Sequence, residues 1–202
     1  MASVEAVYVV TDIEADGPRP GSHSMLSFAS VAVTRTGEER GVFEAVLEPL
    51  EGSARDPETY AWFQTQPEAW SAATRDPRPA GQVMADFVAW VRSLGAPAIF
   101  AAFPVAFDGM WIDFYLKRFT RHALIEGPYA EDPLFAGPGL CLKSYAAART
   151  GQKFADCKPK TLPPEWLGDH PHTHCAIDDA RGYAHLLGVL LGEGRLSASG
   201  PS

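Results

Sequence analysis

The order in which hydrophobic periodicity changes along the chain predicts a mixed α/β domain. Three observations carry this. Three strand-like runs occupy the first fifty residues, a later segment has its apolar residues at helical spacing, and the short apolar run Ala98 to Phe103 lies between two helical stretches.

Taken in order, Val4 to Ile13 is rich in β-branched residues and ends in Asp-Ile-Glu, and Met25 to Arg35 alternates. Val42 to Glu48 follows the turn residues Thr36, Gly37 and Glu38, and the short links imply antiparallel pairing. Asp56-Pro57-Glu58 has the form of a helix start. Gln82 to Leu94 spaces Val83, Phe87, Trp90, Val91 and Leu94 as the buried stripe of a helix that covers the sheet. Ala98 to Phe103 then has the character of a buried parallel strand, and a helix from about Asp108 to His122 follows. Tyr129 to Gly139 is a Pro- and Gly-rich loop, Lys143 to Thr150 is helical, and Cys157 to His172 is loop-like. The last helix spans roughly Cys175 to Leu191. The expected organisation is a single domain over 1–192 with a flexible tail over 193–202.

Bulk properties narrow the function classes. With 202 residues and 46% hydrophobic content, one domain with a sizeable core is expected. The formal net charge of -8 lacks the basic surface of proteins that grip long duplexes. Any nucleic-acid contact should therefore be short and near a chain end, with metal ions supplying positive charge. Lys153, Lys158 and Lys160 form one local basic cluster, equally consistent with a solvated loop. Cys141, Cys157 and Cys175 are an odd set at irregular spacing, which suits reduced thiols in a cytoplasmic protein. Met1 to Val10 carries Glu5 and no basic leader, and Leu94 to Phe107 is too short and too Pro-broken for a membrane span, so no membrane partner is expected.

Chemistry enters at three places. Asp12 and Glu14 are two residues apart and project from one face of a strand, where paired carboxylates select Mg²⁺ or Mn²⁺ unless they are merely a solvated strand end. Asp108 follows an apolar strand at a helix start, which a simple N-cap would also explain. Asp113 lies five residues on, about 500° round the helix, so it and Asp108 do not share one metal comfortably. In the third place, His174 precedes a helix whose first turns hold Asp179, and Ala176 and Ala180 would let that helix approach the strand carrying Asp12. His170, His172 and His174 with Cys175 also raise zinc, although their spacing matches no standard finger.

Asp-x-Glu, then Phe-Asp at a helix start, then His-x4-Asp at a late helix start resemble the three motifs of the DEDDh exonuclease superfamily over residues 5 to 190. The resemblance implies an RNase H-like fold, a mixed five-stranded sheet flanked by helices, and removal of nucleotides from a 3′ end. Carried over motif by motif, Asp12 and Glu14, Asp108, and Asp179 become metal ligands and His174 the general base. Asp16, Asp113 and Asp178 are then decoys. The implied mechanism is hydrolysis with two Mg²⁺ or Mn²⁺ ions about 4 Å apart. Two positions depart from the family: Pro104 replaces an Asn common four residues before the second-motif Asp, and Leu26-Ser27-Phe28-Ala29 lacks an acid often found there.

The stretch around Tyr60, Trp62 and Phe63 resembles the segment that relatives present to the terminal nucleotide, with Trp62 the leading stacking platform and ordinary core aromatics as the alternative. Single-stranded RNA is the favoured substrate, because a small stand-alone domain resembles the exoribonuclease relatives. A DNA exonuclease and a catalytically silent nucleic-acid-binding module remain open. A homodimer through the surface around Trp62 to Trp70 is a further expectation by analogy.

Overall fold

A computed structural model describes residues 5–170 and 172–192, so the start of the first predicted strand at Val4 and the tail over 193–202 lie outside the described residues. Its frame is a five-stranded sheet. β1 (Val7–Ala15), β2 (Met25–Val33) and β3 (Glu39–Val46) form the antiparallel meander expected from their short links. β4 (Ala98–Ala102) lies parallel to β1 on its other side, and β5 (Leu140–Cys141) completes the order β3-β2-β1-β4-β5.

Two helical layers cover the sheet. α3 (Ala80–Ser93) buries Val83, Phe87 and Val91 of the stripe predicted from spacing, together with Met84, while Trp90 and Leu94 are only partly buried at its edge. With α4 (Val105–Phe119) it packs on the face that presents Val7, Val9 and Ile13 of β1. The opposite face carries α5 (Leu142–Thr150) and α6 (Ala176–Gly192), which pack with Val10, Ala29, Val31 and Val33. With both faces covered, β2 is buried at every residue and does not show the one-sided burial its alternating sequence suggests.

Two shorter helices, α1 (Pro57–Phe63) and α2 (Pro67–Thr74), lie between β3 and α3. α1 starts where Asp56-Pro57 indicates: the Asp56 carboxylate accepts from the Thr59 backbone N–H at 2.8 Å, and Pro57 sits in the first turn, where no N–H is needed. α4 begins at Val105, earlier than the Asp108 start expected, with Pro104 as its cap residue. The cause is local: Pro104 has the extended, non-helical backbone of a cap residue at ψ 148°, so the helix starts with the residue after it. No helix among the described residues is long and apolar enough to cross a membrane.

Candidate functional site

Alternation along β1 decides which way its acids face. Tyr8 and Val10 pack with the α6 layer while Val7, Val9 and Ile13 pack with the α3–α4 layer, so Asp12 and Glu14 face α6. α6 lies on β1 and β2 through small residues, with Ala180 fully buried and Ala176 and Ala184 nearly so. That close approach brings Asp179, in the helix's first turn, to the two strand acids, and ligand oxygens of Asp12, Glu14 and Asp179 lie within 4.8 Å of one another.

Asp108 joins them from the fourth residue of α4. The chain leaves β4, which runs beside β1, and turns directly into this helix, so the carboxylate returns over the strand end and meets the backbone N–H of Ile13.

The electrostatics record the crowding. Burial, then the charges of Asp108, Glu14 and Asp179, hold Asp12 well above the usual carboxylate range. Burial, then Asp179 and Asp108, does the same to Glu14. Burial raises Asp108 to about 7, against the pull of the backbone N–H groups of Asp108 and Ile13. Carboxyl groups so placed do not all ionise unless a cation offsets them.

Asp179 shows the same need at one atom. Its Oδ1 accepts from the Thr173 backbone N–H at 3.0 Å, whereas the buried Oδ2 accepts no hydrogen bond. His172 Nδ1 stands 2.8 Å from that oxygen without the alignment of a hydrogen bond. An orphaned buried oxygen beside the carboxylate oxygens of Asp12 and Glu14 fits a hard divalent cation.

His174 sits beside the acids in the left-handed region at φ 60, its ring edge-on to Trp62 at 4.9 Å and 4.5 Å from that of His172. Burial and the adjacent His172 lower its pKa, with Asp179 pulling the other way, so the imidazole is neutral at pH 7.

A cavity of about 230 Å³ opens next to Glu14 and is lined by Thr59, Trp62, Phe63 and Phe107 as well as Pro18 of the loop after β1. The three aromatic candidates differ in placement. Trp62 is 38% exposed at the lip of this cavity. Phe63 is buried, packed with Leu26, Ala69 and Ala73. Tyr60 does not line it; its ring lies under the Arg55 guanidinium at 5.4 Å and against Trp70. A larger cleft of about 490 Å³, between Val91, Arg92 and Phe135, contains none of the acids.

The acids set aside as decoys are engaged in local structure. Asp16 accepts from the Ser24 backbone N–H at 2.6 Å, Asp113 from that of Leu124 at 2.9 Å, and Asp178 from the Thr173 hydroxyl at 2.8 Å. Ser27, in the stretch that lacks the family's acid, pairs with Glu14 across the β1–β2 ladder.

Two neighbours of the site were not singled out from the sequence, and a third, His172, was raised only with the clustered histidines as a zinc candidate. His172 contacts Asp179, Phe107 shares the cavity, and Tyr183 stacks on Phe103 with its hydroxyl pushed up by burial and by Asp12 and the other acids. Of the two missed, Tyr183 carried a usable signal, being four residues beyond Asp179 and so on the same helix face.

No family model and no curated protein matches the sequence. Solved structures do. The nuclease domain of 3′hExo, a DEDDh family member bound to rAMP, superposes with a TM-score of 0.66 at 13% identity, covering 96% of this chain and 94% of that one. A 3′-exonuclease recognising the histone mRNA stem-loop matches at 0.65 and 13%, covering 96% and 84%. Product-bound exonuclease I matches at 0.64 and 16%, with this chain spanning 44% of its length. At these identities the likeness establishes architecture: the chain has the RNase H-like α/β fold of the DEDDh exonucleases.

Proposed function

We propose that this chain is a metal-dependent 3′-to-5′ exonuclease acting on the ends of single-stranded RNA, with Asp12, Glu14, Asp108 and Asp179 as ligands of two divalent cations, Mg²⁺ or Mn²⁺, and His174 as general base. One observation carries the reading: ligand oxygens of Asp12 and Glu14 on β1 and Asp179 on α6 lie within 4.8 Å of one another, and Asp108 of α4 is near enough for its charge to raise Asp12 and Glu14, so that Asp12, Glu14 and Asp108 are held well above their ordinary pKa. Bound cations would neutralise the scissile phosphate and acidify a water molecule.

The chain's own groups do the remainder. Neutral His174 takes the proton of the attacking water at a ring nitrogen, and Trp62 steadies that ring from one side. The cavity beside Glu14 receives the terminal nucleotide, with Trp62 and Phe107 as stacking surfaces worth about 1–3 kcal/mol per base. The net charge of -8 accords with a contact confined to a chain end. RNA is supported by the 3′hExo nuclease domain bound to rAMP, 94% of which this chain covers, whereas it covers only 40% of exonuclease I in its complex with single-stranded DNA. Three free cysteines accord with action in the cytoplasm. A dimer through the surface around Trp62 to Trp70 belongs to the same reading, and light scattering tests it.

The test is incubation with 5′-labelled single-stranded RNA and DNA, with Mn²⁺ or EDTA. A ladder shrinking from the 3′ end of RNA, abolished by EDTA, is the expected result. Digestion of DNA alone moves the assignment to a DNA exonuclease, and binding without cleavage replaces it with a nucleic-acid-binding module.

A further inference from the structure

We infer that His172, His174 and Asp179 form a second metal site, selective for Zn²⁺, that overlaps the carboxylate set through Asp179. Ligand atoms of these three residues lie within 4.8 Å of one another. The imidazole rings are 4.5 Å apart, and His172 Nδ1 is 2.8 Å from Asp179 Oδ2. The Asp179 side chain is fully buried, and Oδ2 is one of two buried side-chain polar atoms without a hydrogen bond among the described residues. This buried, unsatisfied acceptor, which the two sites share, lies within 4.8 Å of ligand nitrogens of both imidazoles.

Donor chemistry names the ion. Two nitrogens and one oxygen suit Zn²⁺, which takes three protein ligands and leaves a fourth position open, whereas Mg²⁺ demands oxygen donors. Ligands about 2.0–2.2 Å from a tetrahedral ion stand about 3.4 Å apart, so the His172–Asp179 pair opens slightly and ring rotation draws His174 in. The site needs no finger spacing. Its ligands come from one loop and the first turn of α6, and Thr173, between the two histidines, ties that loop to the helix by its backbone N–H to Asp179 Oδ1 at 3.0 Å.

Occupancy has a functional consequence that rests on the nuclease reading. One zinc ion would withdraw Asp179 from the carboxylate set and engage the ring nitrogen of His174, so Zn²⁺ acts as an inhibitor competing with the activating cation. Binding itself does not depend on that reading. His172 separates the two, because it belongs to the histidine site and not to the four-carboxylate set.

The experiment titrates metal-stripped wild type, His172→Ala and His172→Gln with Zn²⁺ and with Co²⁺ in excess Mg²⁺, by calorimetry and by the visible spectrum of bound cobalt. Wild type should bind one Zn²⁺ per chain, and its cobalt form should show the intense visible bands of a four-coordinate ion. Both variants should bind Zn²⁺ about tenfold or more weakly while taking up Mn²⁺ as wild type does. In the labelled-RNA assay, Zn²⁺ should inhibit wild type and spare the His172 variants. Wild-type zinc affinity in both variants, or no stoichiometric binding in wild type, overturns the site. Binding as described with no cleavage by any protein leaves the site standing and removes the nuclease reading.

Discussion

His174 occupies a backbone conformation that few residues adopt, at φ 60, and Asn is among those that tolerate it. His174→Asn therefore removes the base while keeping the loop, and is a sharper probe than Ala. Turnover should fall by about 10²–10⁴-fold with Mn²⁺ binding retained; wild-type turnover at saturating metal would exclude His174 as the base. Trp62, half-exposed at the cavity lip, makes a different prediction. Trp62→Ala should raise KM for a short oligonucleotide by about tenfold, as expected for losing 1–3 kcal/mol of stacking, and lower kcat less. Unchanged affinity would make Trp62 a structural aromatic and not a stacking platform. Of the site residues, Asp12 and Glu14 were the most legible, since two-residue spacing on a strand dictates a shared face. His172 was legible only as one of three clustered histidines that raise zinc, because nothing in its local sequence indicates that the loop folds its ring against Asp179.

The approach of α6 to the sheet sets the distance between Asp179 and the strand acids. Ala180 is fully buried at that contact, one residue from Asp179. Ala180→Leu should destabilise the fold by about 1–3 kcal/mol through overpacking, a drop in Tm of roughly 2–4 °C per kcal/mol for a chain of this size. It should also weaken Mn²⁺ binding in calorimetry, because the helix that is pushed away carries a ligand. Lost stability with unaltered metal affinity would show that Asp179 is positioned independently of the helix packing. Among the elements, strong periodicity was readable in the stripe of α3, where Val83, Phe87 and Val91 are buried, and in the shared face of Asp12 and Glu14 on β1, whereas the alternation read for β2 is not matched by its burial. α2 and the two-residue β5 were not, since β5 is too short to show a period and owes its pairing to β4.

Metal and pH are coupled across the whole molecule. Asp12, Glu14 and Asp108 have folded-state pKa values above their unfolded ones near 4, so in metal-free protein they favour folding when protonated. That contribution is complete below about pH 4 and is lost as pH rises, through about 7 for Asp108. A divalent cation reverses the sign, because it needs the ionised carboxylates. With EDTA, Tm should fall from pH 5 to 8; with Mn²⁺ the two curves should diverge as pH rises, and Asp108→Asn should flatten the EDTA curve. An EDTA curve unaffected by Asp108→Asn would mean that these carboxyl groups are not the source of the dependence.

Patterns local in the chain are determined by the sequence: the identity of the longer strands and helices, though not of α2 or β5, the common face of Asp12 and Glu14, and the helix start at Asp56-Pro57. These follow from side-chain period and backbone chemistry over a few residues. Convergence belongs to the tertiary structure alone. Asp108 as an isolated residue is indistinguishable from a helix cap, and Asp179 is told from its neighbour Asp178 only by its five-residue step from His174, until β4 aligns beside β1 and α6 settles on its small residues. Only that packing creates the buried space in which carboxyl groups raise one another's pKa and an oxygen of Asp179 is left without a partner.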